Sequence, residues 1–181
     1  MKNFFLFAIS LTLLFSACET SVKNETSNHQ KMVDEDEIIG RYSPQLIAEP
    51  RTQDEIDQNI ILNFLIDSLF DFQRTPSGIY YQIEKVGEGE HPTHQSRITA
   101  HYRGTLLDGK EFDSSYKKGA PLMFEIEGVI QGWREALQML KPGGKGTFII
   151  PSKLAYGKIG YPGLIEPNTV LIFEIELLKF R

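Results

Sequence analysis

Five aromatic residues and one carboxylate in the second half of the chain, Tyr102, Phe112, Trp133, Tyr156, Phe173 and Asp113, are the first candidates for chemistry. Trp133 is the only tryptophan. It lies in the run Gly128-Val129-Ile130-Gln131-Gly132-Trp133-Arg134-Glu135-Ala136-Leu137, which leads to Lys141-Pro142-Gly143-Gly144-Lys145 and on to Leu154-Ala155-Tyr156-Gly157. Taken singly, each residue has an ordinary reading. Trp133, Phe112 and Phe173 suit a core, Val129 and Ile130 likewise, and Tyr156 suits a half-buried packing position. Asp113 suits a surface carboxylate or a turn cap through Ser114 and Ser115. Chemistries with stricter requirements lack their residue sets. His91-Pro92-Thr93-His94 offers two imidazoles on a loop with no third ligand nearby, so no metal site is expected. No nucleophile-elbow sequence is present, which leaves a hydrolase poorly supported. Gly143-Gly144-Lys145-Gly146 follows a helical pattern and precedes a strand, the reverse of a phosphate-binding loop, and reads as a helix stop with a tight turn.

The elements that must position these residues begin at Gly78, where the apolar period changes to that of strands. Strands are predicted over 79–83, 98–106, from Glu111, over 122–126, 147–150 and 169–180. Asp108-Gly109 forms a hairpin turn and Trp133–Leu140 a helix stopped by Pro142-Gly143-Gly144. Many antiparallel strands and one short helix make an α+β domain. Upstream, Thr52-Gln53-Asp54-Glu55 is a capping box. After it Ile56, Ile60, Ile61, Phe64, Leu65, Leu69 and Phe72 recur at helical spacing, predicting a helix over 52–72 that ends before Thr75-Pro76. Its apolar stripe is too wide for a free-standing helix. It packs on the following domain in cis, pairs with a second copy, or docks a partner.

The 181 residues fit one domain with extensions. A hydrophobic content of 41% and a charged content of 24% fit a globular protein. The net charge of -5, with no basic run longer than Lys117-Lys118, argues against a nucleic-acid partner. At the N-terminus, Lys2, an apolar run from Phe4 to Phe15 and the small residues Ser16-Ala17 have the order of a secretory signal over 1–17. The run is too short to span a bilayer. Leu14-Phe15-Ser16-Ala17-Cys18 looks like a bacterial lipobox, with Phe15 where an aliphatic residue is usual. Lipidation of Cys18 would hold the chain at a membrane, each buried CH₂ contributing about 0.8 kcal/mol. That places it in the cell envelope, on a periplasm-facing or outer membrane. The other reading is an ordinary cleaved signal with a leftover thiol. Residues 18–50 read as a flexible tether, polar from Glu19 to Gln30 and continued by the acidic run Asp34-Glu35-Asp36-Glu37 as a solvated patch.

His101-Tyr102-Arg103-Gly104, Asp108 through Ser115, the Gly128–Tyr156 stretch, Gly160-Tyr161-Pro162-Gly163 and Leu171–Leu177 follow one another in order. Together, over Gly78 to Arg181, they resemble the FKBP-type peptidyl-prolyl cis-trans isomerases. The resemblance implies a curved antiparallel sheet wrapped around the short helix and an isomerase domain over 77–181; the capping box and apolar spacing place a helical extension over 51–76 before it. It implies no cofactor. Rotation about an X–Pro amide must break resonance, with a barrier of ~18–20 kcal/mol. A catalyst therefore needs a dry pocket that fits the twisted amide better than the planar one. By the resemblance, Trp133 is the floor under the proline ring, and Tyr102, Phe112 and Phe173 are walls. Val129 and Ile130 line the near side, with the Ile130 N–H on a substrate carbonyl. Asp113 stands at the rim and the Tyr156 hydroxyl serves a substrate carbonyl. Leu122 takes a pocket position that is often aromatic, and Tyr161 stands where histidine is frequent. Leu164 and Ile165 lie in an overhanging loop. Proline-containing polypeptides are the implied substrates, those of exported or envelope proteins given the signal, and macrolides the implied inhibitors. A reading from another class is a non-catalytic binding module or assembly chaperone of an envelope complex, docking through the exposed face of the 52–72 helix.

Overall fold

The computed structural model describes residues 34–181. The signal segment, Cys18 and the tether as far as residue 33 lie outside the described residues. Seven antiparallel strands form the sheet: β1 (Gln73–Arg74), β2 (Tyr80–Lys85), β3 (Arg97–Thr105), β4 (Glu111–Ser114), β5 (Leu122–Glu125), β6 (Gly144–Ile150) and β7 (Leu171–Phe180). Their order is β1-β2-β6-β7-β3-β4, and β5 pairs with the other half of β3. The hairpin at Asp108-Gly109 closes as expected, with Gly109 N–H donating to the Leu106 carbonyl at 3.0 Å and Leu106 N–H to that of Lys110 at 2.9 Å. β1 was not foreseen; it is two residues long and pairs with Tyr81 and Tyr80.

Side chains alternate between the two faces of a strand, and here both faces are covered. Phe148 and Ile150 of β6, and Leu171, Phe173, Ile175 and Leu177 of β7, pack on helix α3 (Gln131–Gln138). Ile149, Ile172 and Tyr80, on intervening positions, pack in a second cluster with helices α1 (Glu35–Tyr42) and α2 (Gln53–Ser68). α3 buries Trp133, Ala136 and Leu137, a stripe at i, i+3 and i+4.

The Thr52–Glu55 capping box is formed, Glu55 N–H donating to Thr52 Oγ1 at 3.3 Å and Thr52 N–H to Glu55 Oε2 at 2.9 Å. α2 packs in cis: Ile61, Leu62 and Leu65 are fully buried between the sheet and α1. Each such side chain contributes roughly 1.5–3 kcal/mol. A helix wedged between two neighbours needs apolar residues on more than one side, which accounts for its wide stripe. It does not reach residue 72. It stops at Ser68, with Leu69 left-handed at φ 54° and Phe70 N–H donating to the Leu65 carbonyl at 3.1 Å.

The tether expected over 18–50 also needs correction. From Asp34 onward the chain is ordered in α1 and a 3-10 turn at Ser43–Gln45. Asp34 caps α1, its carboxylate accepting from Asp36 N–H at 3.0 Å. Glu35, Asp36 and Glu37 fill the first turn, where the helix dipole favours negative charge. Ile38 and Tyr42, one turn apart, are buried against α2. The Tyr42 hydroxyl donates to the Phe72 carbonyl at 3.0 Å and accepts from Phe72 N–H at 2.8 Å. Asn59 fastens the following segment, accepting from Ile47 N–H at 2.9 Å and donating to its carbonyl at 2.7 Å. Tyr42→Phe strands both Phe72 backbone groups and should lower stability by about 1–3 kcal/mol. Urea unfolding measures the loss, and an unchanged midpoint would mean that α1 is not docked through Tyr42.

Candidate active site

The site is built where α3 lies against β3, β5 and β7, with Phe112 of β4 beside Phe173. At Gly104, mid-sheet beside β4, an added Cβ would sit 2.6 Å from Phe112 Cζ and 2.9 Å from Phe173 Cε1. The missing side chain is what lets those two rings meet edge to face, at 5.6 Å and 89°. Trp133, only 5% exposed, is enclosed by Tyr102 at 5.0 Å and Phe173 at 5.2 Å, both T-shaped, and by Phe124 at 5.5 Å. These separations suit attractive edge contacts between rings. The indole Nε1 is buried and has no hydrogen-bond partner among the described residues. A buried donor left unpaired costs about 1–3 kcal/mol, a feature that asks for an explanation when it occurs in a site.

One polar cluster stands beside the rings. The Tyr102 hydroxyl donates to Asp113 Oδ2 at 2.6 Å, and Ser114 N–H donates to Asp113 Oδ1 at 2.8 Å. Lys118 Nζ lies 2.5 Å from Asp113 Oδ1 and donates to the Tyr102 hydroxyl oxygen at 3.1 Å. The Tyr102 backbone is fixed by Ser115, whose Oγ accepts its N–H at 2.8 Å. Burial pushes the Asp113 carboxyl up, but the hydrogen bonds from Lys118 and Tyr102 outweigh it and hold the group below the ordinary aspartate value of 3.8. Burial and then the hydrogen bond to Asp113 push the Tyr102 hydroxyl up. At neutral pH Asp113 is thus an anion that accepts, and Tyr102 a neutral group whose proton is already engaged.

Tyr156, half-buried, stands edge-on to Tyr161 at 5.6 Å. Burial raises its hydroxyl pKa, and the nearby Tyr161 and Asp113 raise it further. Its O–H bonds to no described residue. Ile130 caps the start of α3 without a side-chain cap, its carbonyl accepting from the N–H groups of Trp133 and Arg134 at 3.0 and 3.2 Å.

Of the residues singled out in the sequence, Trp133, Tyr102, Phe173 and Ile165 join one buried cluster, and Phe112, Val129, Ile130 and Tyr156 pack against it. Ile165 is core, at 4% exposed, and its carbonyl accepts from Tyr161 N–H at 2.8 Å to pin the overhanging loop. Leu122, Tyr161 and Leu164 stay exposed at the periphery, at 38%, 52% and 47%. Phe124 and Lys118 were missed. Phe124 is two residues beyond Leu122, on the same face of β5, and strand alternation could have found it. Nothing in the order of residues marks Lys118 as the partner of Asp113. His91 reaches the Leu140 carbonyl at 3.2 Å, and no group of metal-ligating side chains occurs among the described residues.

The depressed Asp113 value has a definite sign. It stabilises the fold above the ordinary aspartate value, and that contribution is lost as pH falls through the folded value. Carboxyl NMR titration should find Asp113 below 3.8, and Lys118→Ala should raise it; equal values in the two proteins would contradict the cluster.

Comparison with known proteins converges on one description. Residues 88–178 match the family of FKBP-type peptidyl-prolyl cis-trans isomerases. The isomerase FkpA of Escherichia coli is 51% identical over 105 residues, which are 58% of this chain and 38% of that protein. FkpA of Buchnera aphidicola from Acyrthosiphon pisum is 36% identical over 165 residues, 87% of this chain and 68% of its own. The crystal structure of a peptidyl-prolyl cis-trans isomerase of Pseudomonas syringae superposes with a TM-score of 0.61 at 34% identity, over 73% of this chain and 98% of that one. The chain thus spans less than half the length of the Escherichia coli relative.

Proposed function

The chain belongs to the family of FKBP-type peptidyl-prolyl cis-trans isomerases, and on that premise we propose that it catalyses rotation about X–Pro bonds in polypeptides. The observation that carries the reading is the Trp133 ring, enclosed by Tyr102, Phe173 and Phe124 with an N–H unpaired among the described residues, and bordered by the anchored carboxylate of Asp113. A planar amide is more polar than a twisted one, so a desolvated aromatic surface favours the twisted form. Trp133 receives the proline ring, with Phe112 and Phe173 as walls. The Ile130 N–H and the Tyr156 hydroxyl serve substrate carbonyls. Asp113 acts mainly by fixing Tyr102 and by presenting negative charge at the rim. Leu122, Tyr161 and Leu164, exposed around the cluster, contact residues flanking the proline and set preference. The same pocket would accept macrolide inhibitors.

The N-terminal features extend the proposal. Residues 1–17 act as an export signal, and lipidation at Cys18 anchors the protein in the cell envelope, where its substrates are exported chains. The supporting feature is the order Lys2, Phe4–Phe15, Ser16-Ala17-Cys18.

Isomerisation of Leu-Pro and Phe-Pro peptides, with Trp133→Leu and Asp113→Val as variants, tests the site. One charge-assisted hydrogen bond is worth about 1.5–3 kcal/mol, so Asp113→Val should lower kcat/KM by roughly ten- to a hundredfold. Trp133→Leu should lower it at least as far, and rapamycin should inhibit the parent. Folded variants as fast as the parent would place the activity elsewhere.

A further inference from the structure

Asp57 of α2 is fully buried, and no lysine or arginine pairs with it among the described residues. Its Oδ2 accepts from both the N–H and the O–H of Ser152, at 2.7 and 2.6 Å, and its Oδ1 accepts from Gln53 Nε2 at 2.7 Å. Burying a carboxylate on neutral donors alone is a costly way to dock a helix that already buries Ile61, Leu62 and Leu65. What such a group adds is direction, because two bonds to one residue fix that residue's backbone as well as its side chain.

The residue so fixed governs a site loop. The Ser152 carbonyl accepts from the N–H groups of Ala155 and Gly157, at 3.0 and 2.8 Å, and so brackets Tyr156. The Gly157 carbonyl in turn accepts from Asn168 N–H at 2.8 Å, tying the far end of the loop to the same point. Tyr156 touches Tyr161, whose N–H and carbonyl are both bonded to Ile165. One run of hydrogen bonds therefore leads from α2, through Ser152, to both ends of the segment that carries the Tyr156 hydroxyl.

We propose that Asp57 is a positioning residue for the isomerase site: through Ser152 it sets the turn that aims Tyr156 at the substrate and closes the base of the 152–168 loop. The helical extension is then a working part of the site. This rests on the isomerase reading given above. Lys153, which pairs with Asp54 at 2.5 Å on the exposed side of the same junction, is the natural control.

The test is a double-mutant cycle in the full chain, combining Asp57→Ala, which removes both acceptors, with Tyr156→Phe; Ser152→Ala, which removes the hydroxyl bond and keeps the backbone one, is the milder variant. A misplaced group can cost up to a hundredfold in rate, so Asp57→Ala should lower kcat/KM by about tenfold. In a Tyr156→Phe background it should add little, because both changes remove one function. Ser152→Ala should lower kcat/KM by a smaller factor, Lys153→Ala should leave it unchanged, and the amide resonances of Tyr156 and Gly157 should move in Asp57→Ala and Ser152→Ala and stay in place in Lys153→Ala. Additive losses, or a folded Asp57→Ala protein with parental kcat/KM and unmoved amides, would overturn the proposal; if Asp57→Ala does not fold, a Ser152→Ala protein with parental kcat/KM and unmoved amides overturns it. An inactive parent would refute the isomerase reading, and the amide shifts alone would then decide whether Asp57 sets the turn.

Discussion

At Gly132 the backbone of α3 comes so near β6 that an added methyl group would overlap Cγ2 of Ile150 and lie 2.8 Å from its Cδ1. Ile150 is fully buried and has no room to yield. Overpacking of this kind costs roughly 1–3 kcal/mol, which outweighs the modest helix preference for alanine. The close approach brings the next residue, Trp133, within ring contact of side chains from three strands, Tyr102 of β3, Phe124 of β5 and Phe173 of β7. Gly104 plays the complementary part from the sheet, leaving room for Phe112 and Phe173. Gly132 thus sets the distance between helix and sheet and Gly104 the room for the rings, and the aromatic cluster follows from both.

The opposite face of the sheet has its own task. Tyr80, Ile149 and Ile172 are covered by α2, which is covered in turn by α1. This second layer is fastened by polar contacts of defined direction: the Tyr42 hydroxyl on Phe72, the Asn59 amide on Ile47 and the Asp57 carboxylate on Ser152. Apolar burial holds the layer on the sheet, and these contacts fix its angle. The third reaches through to a loop that borders the aromatic cluster, so the two faces are mechanically joined at Ser152.

Much of this was legible in the residues, because it is encoded locally. Alternation along β6 and β7, the Asp108-Gly109 turn, the Thr52–Glu55 capping box and the glycines flanking α3 each act within a few positions. The aromatic cluster was legible through the ordered motifs and their resemblance to a known family, not through any single residue. α1 was not. An acidic run looks the same whether it is solvated or filling the first turn of a helix, and only Ile38 and Tyr42, one turn apart, hinted at the second. The early end of α2 rests on Leu69 in a left-handed conformation that residues other than glycine adopt at a cost of about 1–2 kcal/mol. Lys118 meets Asp113 through the local turn after β4, which no residue type marks, whereas Asp57 joins Ser152 across 95 positions, a pairing that only the tertiary fold makes.

The most direct measurement uses the single tryptophan as its own reporter. A Leu-Pro peptide is titrated into the protein while the Trp133 indole N–H resonance and the cis–trans exchange peaks of the peptide are followed together. If the proline ring sits on Trp133 and is turned there, the indole resonance shifts as the peptide saturates and exchange accelerates over the same concentration range. Accelerated exchange with an unmoved indole, or a shifted indole with exchange at the uncatalysed rate, would contradict a desolvated aromatic floor as the seat of the reaction.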